Sequence, residues 1–130
     1  MALEHIAPEG IHEAQGYTHV VKMGAGALAF ISGQVGIDAD GQLAGSDLES
    51  QARQAFANLG AAISAVGATP SDVAKITTYV VNYSPEARPA LSAARDGFFG
   101  GDPPASTLVG VQALATSVLL VEVEAIVALD

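Results

Sequence analysis

One stretch limits the fold of this chain more than any other: Val121, Glu122, Val123, Glu124, Ala125, Ile126 and Val127. β-Branched residues are frequent in it, which favours a strand. Side chains alternate along a strand, so Glu122 and Glu124 share one face and Val121, Val123, Ala125 and Val127 share the other. The second set is a core face. The first set puts two carboxylates into an otherwise apolar strand, and carboxylates are seldom buried unless something pairs with them or uses them. Just upstream, Asp102, Pro103, Pro104, Ala105, Ser106 and Thr107 form a turn that enters a second apolar strand. A carboxylate strand beside a hydroxyl-bearing strand entry is the first place to look for chemistry.

The chain has 130 residues, and residues 1–130 are read as a single domain. Half of the residues are hydrophobic, 15% are charged, and mean hydropathy is +0.38. A domain of this size exposes much of its surface, so the apolar surplus points to burial between subunits and to a homo-oligomer.

The formal net charge is -9, and only Lys22, Arg53, Lys75, Arg88 and Arg95 are basic. They are scattered along the chain. Nucleic-acid binding relies on cations that displace counterions from phosphates, and anionic membranes attract the same charges, so neither partner is expected. The chain has no cysteine, which removes disulfides, thiolate catalysis and cysteine metal sites. His5, His12 and His19 show no metal-ligand spacing with Asp or Glu, and no metal is expected. The N-terminus lacks a basic segment leading into an apolar one, and Glu122 and Glu124 interrupt the apolar C-terminal stretch. A cytoplasmic protein without signal peptide or membrane span is therefore expected.

Residues 19–23 and 27–31 are short apolar runs separated by Gly24, Ala25 and Gly26, which reads as a β-hairpin. Ser46, Asp47, Leu48 and Glu49 form a capping-box pattern in which Ser46 caps the Glu49 amide. Leu48, Ala52, Ala55, Phe56, Leu59, Ile63 and Val66 then recur at helical spacing, and Gly67 ends the helix. Thr69, Pro70, Ser71 and Asp72 predict one helical turn. Residues 75–81 read as a strand. A second helix over 85–99 requires Pro89 in its first turn and buries Leu91, Ala94, Phe98 and Phe99. Residues 107–111 and 119–129 are the last strands. The order is β-β-α-β-α-β-β, an α+β chain with a mixed sheet and two helices on one face. Several strands are apolar on both faces, so the second sheet face should meet another subunit.

Taken together, these landmarks resemble the Rid family (reactive intermediate deaminases, or YjgF-like proteins). The resemblance rests on Gly16-Tyr17, on Phe30 through Gln34, and on Gln51 through Ala55 with Asn58-Leu59. It continues through Gly67-Ala68, Asp72 through Val80, Pro104-Ala105, and Val121 through Ile126. It runs in order over nearly the whole chain. It implies a chorismate-mutase-like fold and a trimeric barrel, with small-molecule ligands held in clefts between subunits. It also implies hydrolysis of enamines and imines such as 2-aminoacrylate, without metal or organic cofactor.

The resemblance assigns Glu122 as the residue that orients the attacking water, with Tyr17, Gly33, Ser84, Ser106 and Thr107 shaping the cleft. An imine carbon is already electrophilic, so a carboxylate need only orient and deprotonate water. Glu124 shares the face of Glu122 but matches no family role, and is read as structural. Tyr17 offers a phenol for hydrogen bonding or stacking, or is simply a half-buried residue. Gly33 allows close approach of a ligand, or is a simple tight bend. The family's carboxylate-clamping arginine is replaced by Ser106, a nearby family cysteine by Leu108, and a cleft asparagine by Ser84. A neutral hydroxyl cannot supply a bidentate charge-assisted contact. The pocket is therefore expected to be less basic and to prefer imines without a neighbouring carboxylate. Arg88 and Arg95 are expected on a solvated helix face, with only a neighbouring subunit's copies considered as replacements. The alternative is a non-catalytic protein that binds a small metabolite or regulates a partner.

Overall fold

The computed structural model describes residues 3–130; Met1 and Ala2, the start of the segment read for a signal peptide, lie outside the described residues. The strands are β1 (Leu3–Ile6), β2 (Val20–Met23), β3 (Ala27–Val35), β4 (Val73–Val81), β5 (Ala105–Val111) and β6 (Val121–Leu129). Helix α1 (Leu48–Ala65) lies between β3 and β4, and α2 (Arg88–Phe99) lies between β4 and β5. The main sheet has the order β3-β6-β4-β5, antiparallel except for the parallel pair β4-β5. A parallel pair needs a crossover, and α2 supplies it.

Alternation in β6 is as expected. Val121, Val123, Ala125 and Val127 are buried, whereas Glu122, Glu124 and Ile126 are half-buried on the opposite face. On β4, Ile76, Thr78 and Val80 join the buried side. Ala52, Ala55, Phe56, Leu59 and Ile63 of α1, with Leu91, Ala94 and Phe99 of α2, close over it. Each large aliphatic side chain fully buried there contributes about 1.5–3 kcal/mol. Both helices occupy this face. The other face of the sheet is left open within the chain, with Phe30 74% exposed on it and Leu28 and Val109 also exposed. Among the described residues, no helix is long and apolar enough to cross a membrane.

Polar anchors fix α1 on the sheet. The buried Gln51 amide donates to the Gly45 and Val118 carbonyls (3.0 and 2.9 Å) and accepts from the Leu120 amide (2.8 Å). The Asn58 amide donates to the Val35 and Ile37 carbonyls, both at 2.8 Å. A β-carbon at Gly36 would collide with the Gln51 backbone, so the chain passes α1 at glycine distance. Gly67, at φ +75°, closes α1: its amide reaches Ser64 and the Ala68 amide reaches Ile63, a Schellman ending.

Three local expectations change. Residues 19–31 do not form a hairpin: β2 pairs antiparallel with β1, Leu3 opposite Met23, while β3 pairs with β6. Gly26, at φ +114°, packs its α-carbon against the Leu129 carbonyl, directing the chain onto β6 rather than back along β2. The helix cap is Asp47 and not Ser46, because α1 begins at Leu48 and the Asp47 carboxylate accepts from the Ser50 amide at 2.9 Å. That bond, reinforced by the Ser50 side chain, holds the Asp47 carboxyl below its ordinary range. The second helix also starts later than expected. Pro85–Ala87 is a 3-10 turn, and Pro89 sits in the first turn of α2.

Candidate functional site

The residues singled out in the sequence fall into two clusters on opposite faces of the sheet. The first lies on the open face. β3 and β6 pair in register up to Ile31 opposite Ala125, and pairing resumes at Gln34 opposite Val123. The irregularity between them carries Gly33, whose α-carbon is pressed against the Glu122 carboxylate: a β-carbon there would overlap its Oε2. A bulge beside a half-buried carboxylate is a common way to aim a functional side chain. The Glu122 carboxylate accepts no hydrogen bond from the described residues.

Glu124 is engaged differently. The Tyr79 hydroxyl donates to its Oε1 at 3.2 Å. Burial, then that hydrogen bond and the charges of Glu124 and Glu122, push the Tyr79 phenol above its usual value of 10.0. Two carboxylates on one strand face thus have separate positions. Glu124 is tied to a phenol, and Glu122 is open to a ligand or water. Thr107 also lies on this face, where it accepts from Lys75 Nζ at 2.7 Å.

The second cluster lies on the helix side, at the β5 edge. The loop before β2 is tied to the β5 entry by Thr18, whose amide donates to the Pro104 carbonyl at 3.1 Å and whose hydroxyl donates to the Pro103 carbonyl. This places Tyr17 at the rim of a cavity of about 320 Å³ lined by Ser106, Leu108, Leu91, Arg88 and Arg95, among others. Gly16, at φ +80°, brings its α-carbon to the Arg95 guanidinium, and a β-carbon there would lie 2.5 Å from Nη2. Arg95 is bonded through Nε to Asp96 at 3.1 Å and lies 3.5 Å from Ser92 Oγ.

Two arginines border this cavity beside the neutral Ser106. Arg95 is 26% exposed, not solvated, and it lines the cavity from within the same chain. Arg88, Leu91, Ser92 and Arg95 recur at spacings of three, four and seven, which is one helix face. That periodicity was the signal available in the sequence. Ser84 lies elsewhere: it caps the 3-10 turn, and its hydroxyl bonds Glu86, whose carboxyl falls below its ordinary value as a result. Ser92 is the α2 serine that lines the cavity.

His5, His12 and His19 also approach one another around a cavity of about 460 Å³, with the His12 and His19 rings 4.9 Å apart. Among the described residues, no group of three or more His, Asp or Glu side chains is placed to hold a metal ion.

This fold and sequence have clear counterparts. The family model described as endoribonuclease L-PSP matches residues 8–129. The chain belongs to that family, the Rid proteins. A Rid-family protein of unknown function from Yersinia pestis superimposes with a TM-score of 0.94 at 41% identity, covering 99% of this chain and 100% of the other. A RutC family protein of Pyrococcus horikoshii is 34% identical over 111 residues, 85% of this chain and 84% of its own length. A 2-iminobutanoate/2-iminopropanoate deaminase of Dermatophagoides farinae is 31% identical over 115 residues, 88% and 86% of the two chains. The helices of this Rid protein pack on one face of a mixed sheet, as the resemblance implied.

Proposed function

We propose that this Rid protein hydrolyses reactive enamine and imine intermediates to a carbonyl compound and ammonia. The carrying observation is the unengaged Glu122 carboxylate held against Gly33. The similarity to an imine deaminase at 31% identity supports the reaction class. In this reading Glu122 orients a water molecule at the C=N carbon. The new C–O bond forms as the water proton passes to the carboxylate and the C=N π pair moves to nitrogen. Glu122 then returns the proton to the nitrogen of the carbinolamine. The carbinolamine hydroxyl gives its proton to the Glu122 carboxylate as the oxygen forms the carbonyl and the C–N bond breaks; the departing ammonia takes up that proton and leaves as ammonium.

The two clusters lie on opposite faces of one chain with β4 between them, because Ser106 pairs with Ile76 and Glu122 with Tyr79. A single cleft containing both requires a second copy. We therefore place the site between subunits of a trimer closed through the open sheet face. The exposure of Phe30 and Leu28 there supports an apolar contact. Tyr17, Ser106 and Thr107 would border such a cleft, Gly33 would line it, and Ser84 would stand outside it. No metal or organic cofactor is required.

Replacement of the family's strand arginine by Ser106 favours a second reading, a trimer that binds a metabolite without turning it over. The ribonuclease named in the family description is a poorer fit, because a net charge of -9 repels a polyanion. The test is ammonia release from imines generated in place by an amino-acid oxidase. Wild type should accelerate it and Glu122→Gln should not. No acceleration by either protein would favour the binding reading, and equal acceleration by both would remove Glu122 from the chemistry.

A further inference from the structure

We infer that the loop between β1 and β2 forms a second binding site, apart from the proposed cleft, for a small primary amine with an apolar body. The site is the cavity of about 460 Å³ around His5, His12 and His19. All three histidines of the chain lie there, and among the described residues no lysine or arginine lines it. The inference does not rest on the imine reading and stands whether or not the cleft turns over an imine.

Two hydrogen bonds fix where the imidazole protons sit. A carbonyl can only accept, so His19 donates from Nε2 to the His12 carbonyl at 2.7 Å, and His12 donates from Nδ1 to the Glu13 carbonyl at 3.1 Å. In the neutral rings His19 Nδ1 and His12 Nε2 are then acceptors, and neither has a partner among the described residues. His5 lines the same cavity, and its Nε2 is buried without a partner. Buried polar atoms in a native fold are normally paired, so this one points to a missing ligand. The Thr18 hydroxyl is engaged by the Pro103 carbonyl. The wall thus has acceptors to spare, while the donors of His12, His19 and Thr18 are already used.

The charges at the cavity select a cation. Glu13 brings an exposed carboxylate that has no ion pair among the described residues. The rings of Tyr17 and His12 stand edge-to-face with His19, at centroid distances of 5.2 and 4.9 Å. A tyrosine face attracts a cation. Spare acceptors, a carboxylate and an aromatic face together match an ammonium group, and the net charge of -9 draws it in and repels an acid. The rest of the wall includes Ile6, Pro8 and Ile11, and Ile11 is 51% exposed. A hydrocarbon body on the amine would cover that apolar surface.

Imidazole proton NMR reads this site directly, because every histidine of the chain borders it. The whole protein would be titrated with 2-phenylethylamine, 2-phenylethanol and phenylacetate at a pH where the imidazoles are neutral. The amine should shift the histidine signals and bind at least about tenfold tighter than the alcohol, with affinity falling as salt rises. The acid should bind most weakly. Glu13→Gln should lose part of the preference for the amine, and Glu13→Gln with His12→Phe should reduce it by about threefold or more. Both residues are exposed, and thermal melting would show that the variants are folded. Glu122→Gln should leave amine binding unchanged, which separates this cavity from the carboxylate of the proposed cleft. Histidine signals that the amine does not move, equal affinity for amine and alcohol, or tighter binding of the acid would overturn the inference. So would an undiminished preference in the double variant, or loss of amine binding in Glu122→Gln.

Discussion

Gly33 and Glu122 are so close that position 33 has no room for a side chain: its β-carbon would fall on the Glu122 carboxylate. The backbone at Gly33 is not in the left-handed region, so alanine is conformationally allowed there. Gly33→Ala should displace the end of a flexible carboxylate and leave the fold standing. We expect imine turnover to fall by about tenfold or more, with Tm nearly unchanged, in parallel activity and melting measurements. Full activity in a folded Gly33→Ala protein would separate the Glu122 position from the chemistry.

Gln51 carries three hydrogen bonds in a fully buried site, joining α1 to the loop before it and to the entry of β6. Gln51→Leu keeps the volume but orphans the Leu120 amide and two carbonyls. The expected loss is about 2–4 kcal/mol in urea unfolding. A loss no larger than that of an exposed substitution would mean that water replaces the amide at little cost.

Tyr79 should ionise above the ordinary tyrosine range. Its folded-state value lies above 10.0, so the folded chain holds a proton that the unfolded chain has released once pH passes 10. This contribution to stability is complete below pH 10 and is lost as pH rises through the folded value. Ultraviolet titration should show one delayed phenol. Glu124→Gln should bring it only part of the way back, because burial is the larger cause. Unchanged titration in Glu124→Gln would rule out the carboxylate as a contributor.

The open sheet face should hold the subunits together. Phe30 is exposed on β3 opposite Ile126, beyond the contact between Gly33 and Glu122. Phe30→Asp places a charge in that surface, and sedimentation should show monomers where the wild type sediments as a trimer. A variant that remains trimeric would move the interface elsewhere.

The strand with Glu122 and Glu124 was legible because alternation with period two is strong over seven residues and needs no tertiary knowledge. Helix α1 was legible for the same reason at helical period. Its cap was misplaced by one residue because Ser46 and Asp47 are both competent caps, and only the start of the helix decides between them. The β1–β2 pairing was not readable. β1 is four residues long, and its partner lies beyond a loop whose path is set by hydrogen bonds from Thr18 to Pro103 and Pro104. The Arg88–Arg95 face carried a helical period; Arg88 is exposed as that face implied, but Arg95 is mostly covered, because nothing local shows where a polar face borders a cavity. The separation of Glu122 from Ser106 by a whole strand likewise depends on sheet order, which is a long-range property.

The account rests on Glu122 acting on water at a C=N carbon. Its most direct test is the lifetime of an imine generated by an oxidase and trapped by semicarbazide, with and without enzyme. Wild type should shorten that lifetime and suppress the semicarbazone, and Glu122→Ala should leave both at the uncatalysed value. An unchanged lifetime with wild type, or an equal acceleration by Glu122→Ala, would contradict it.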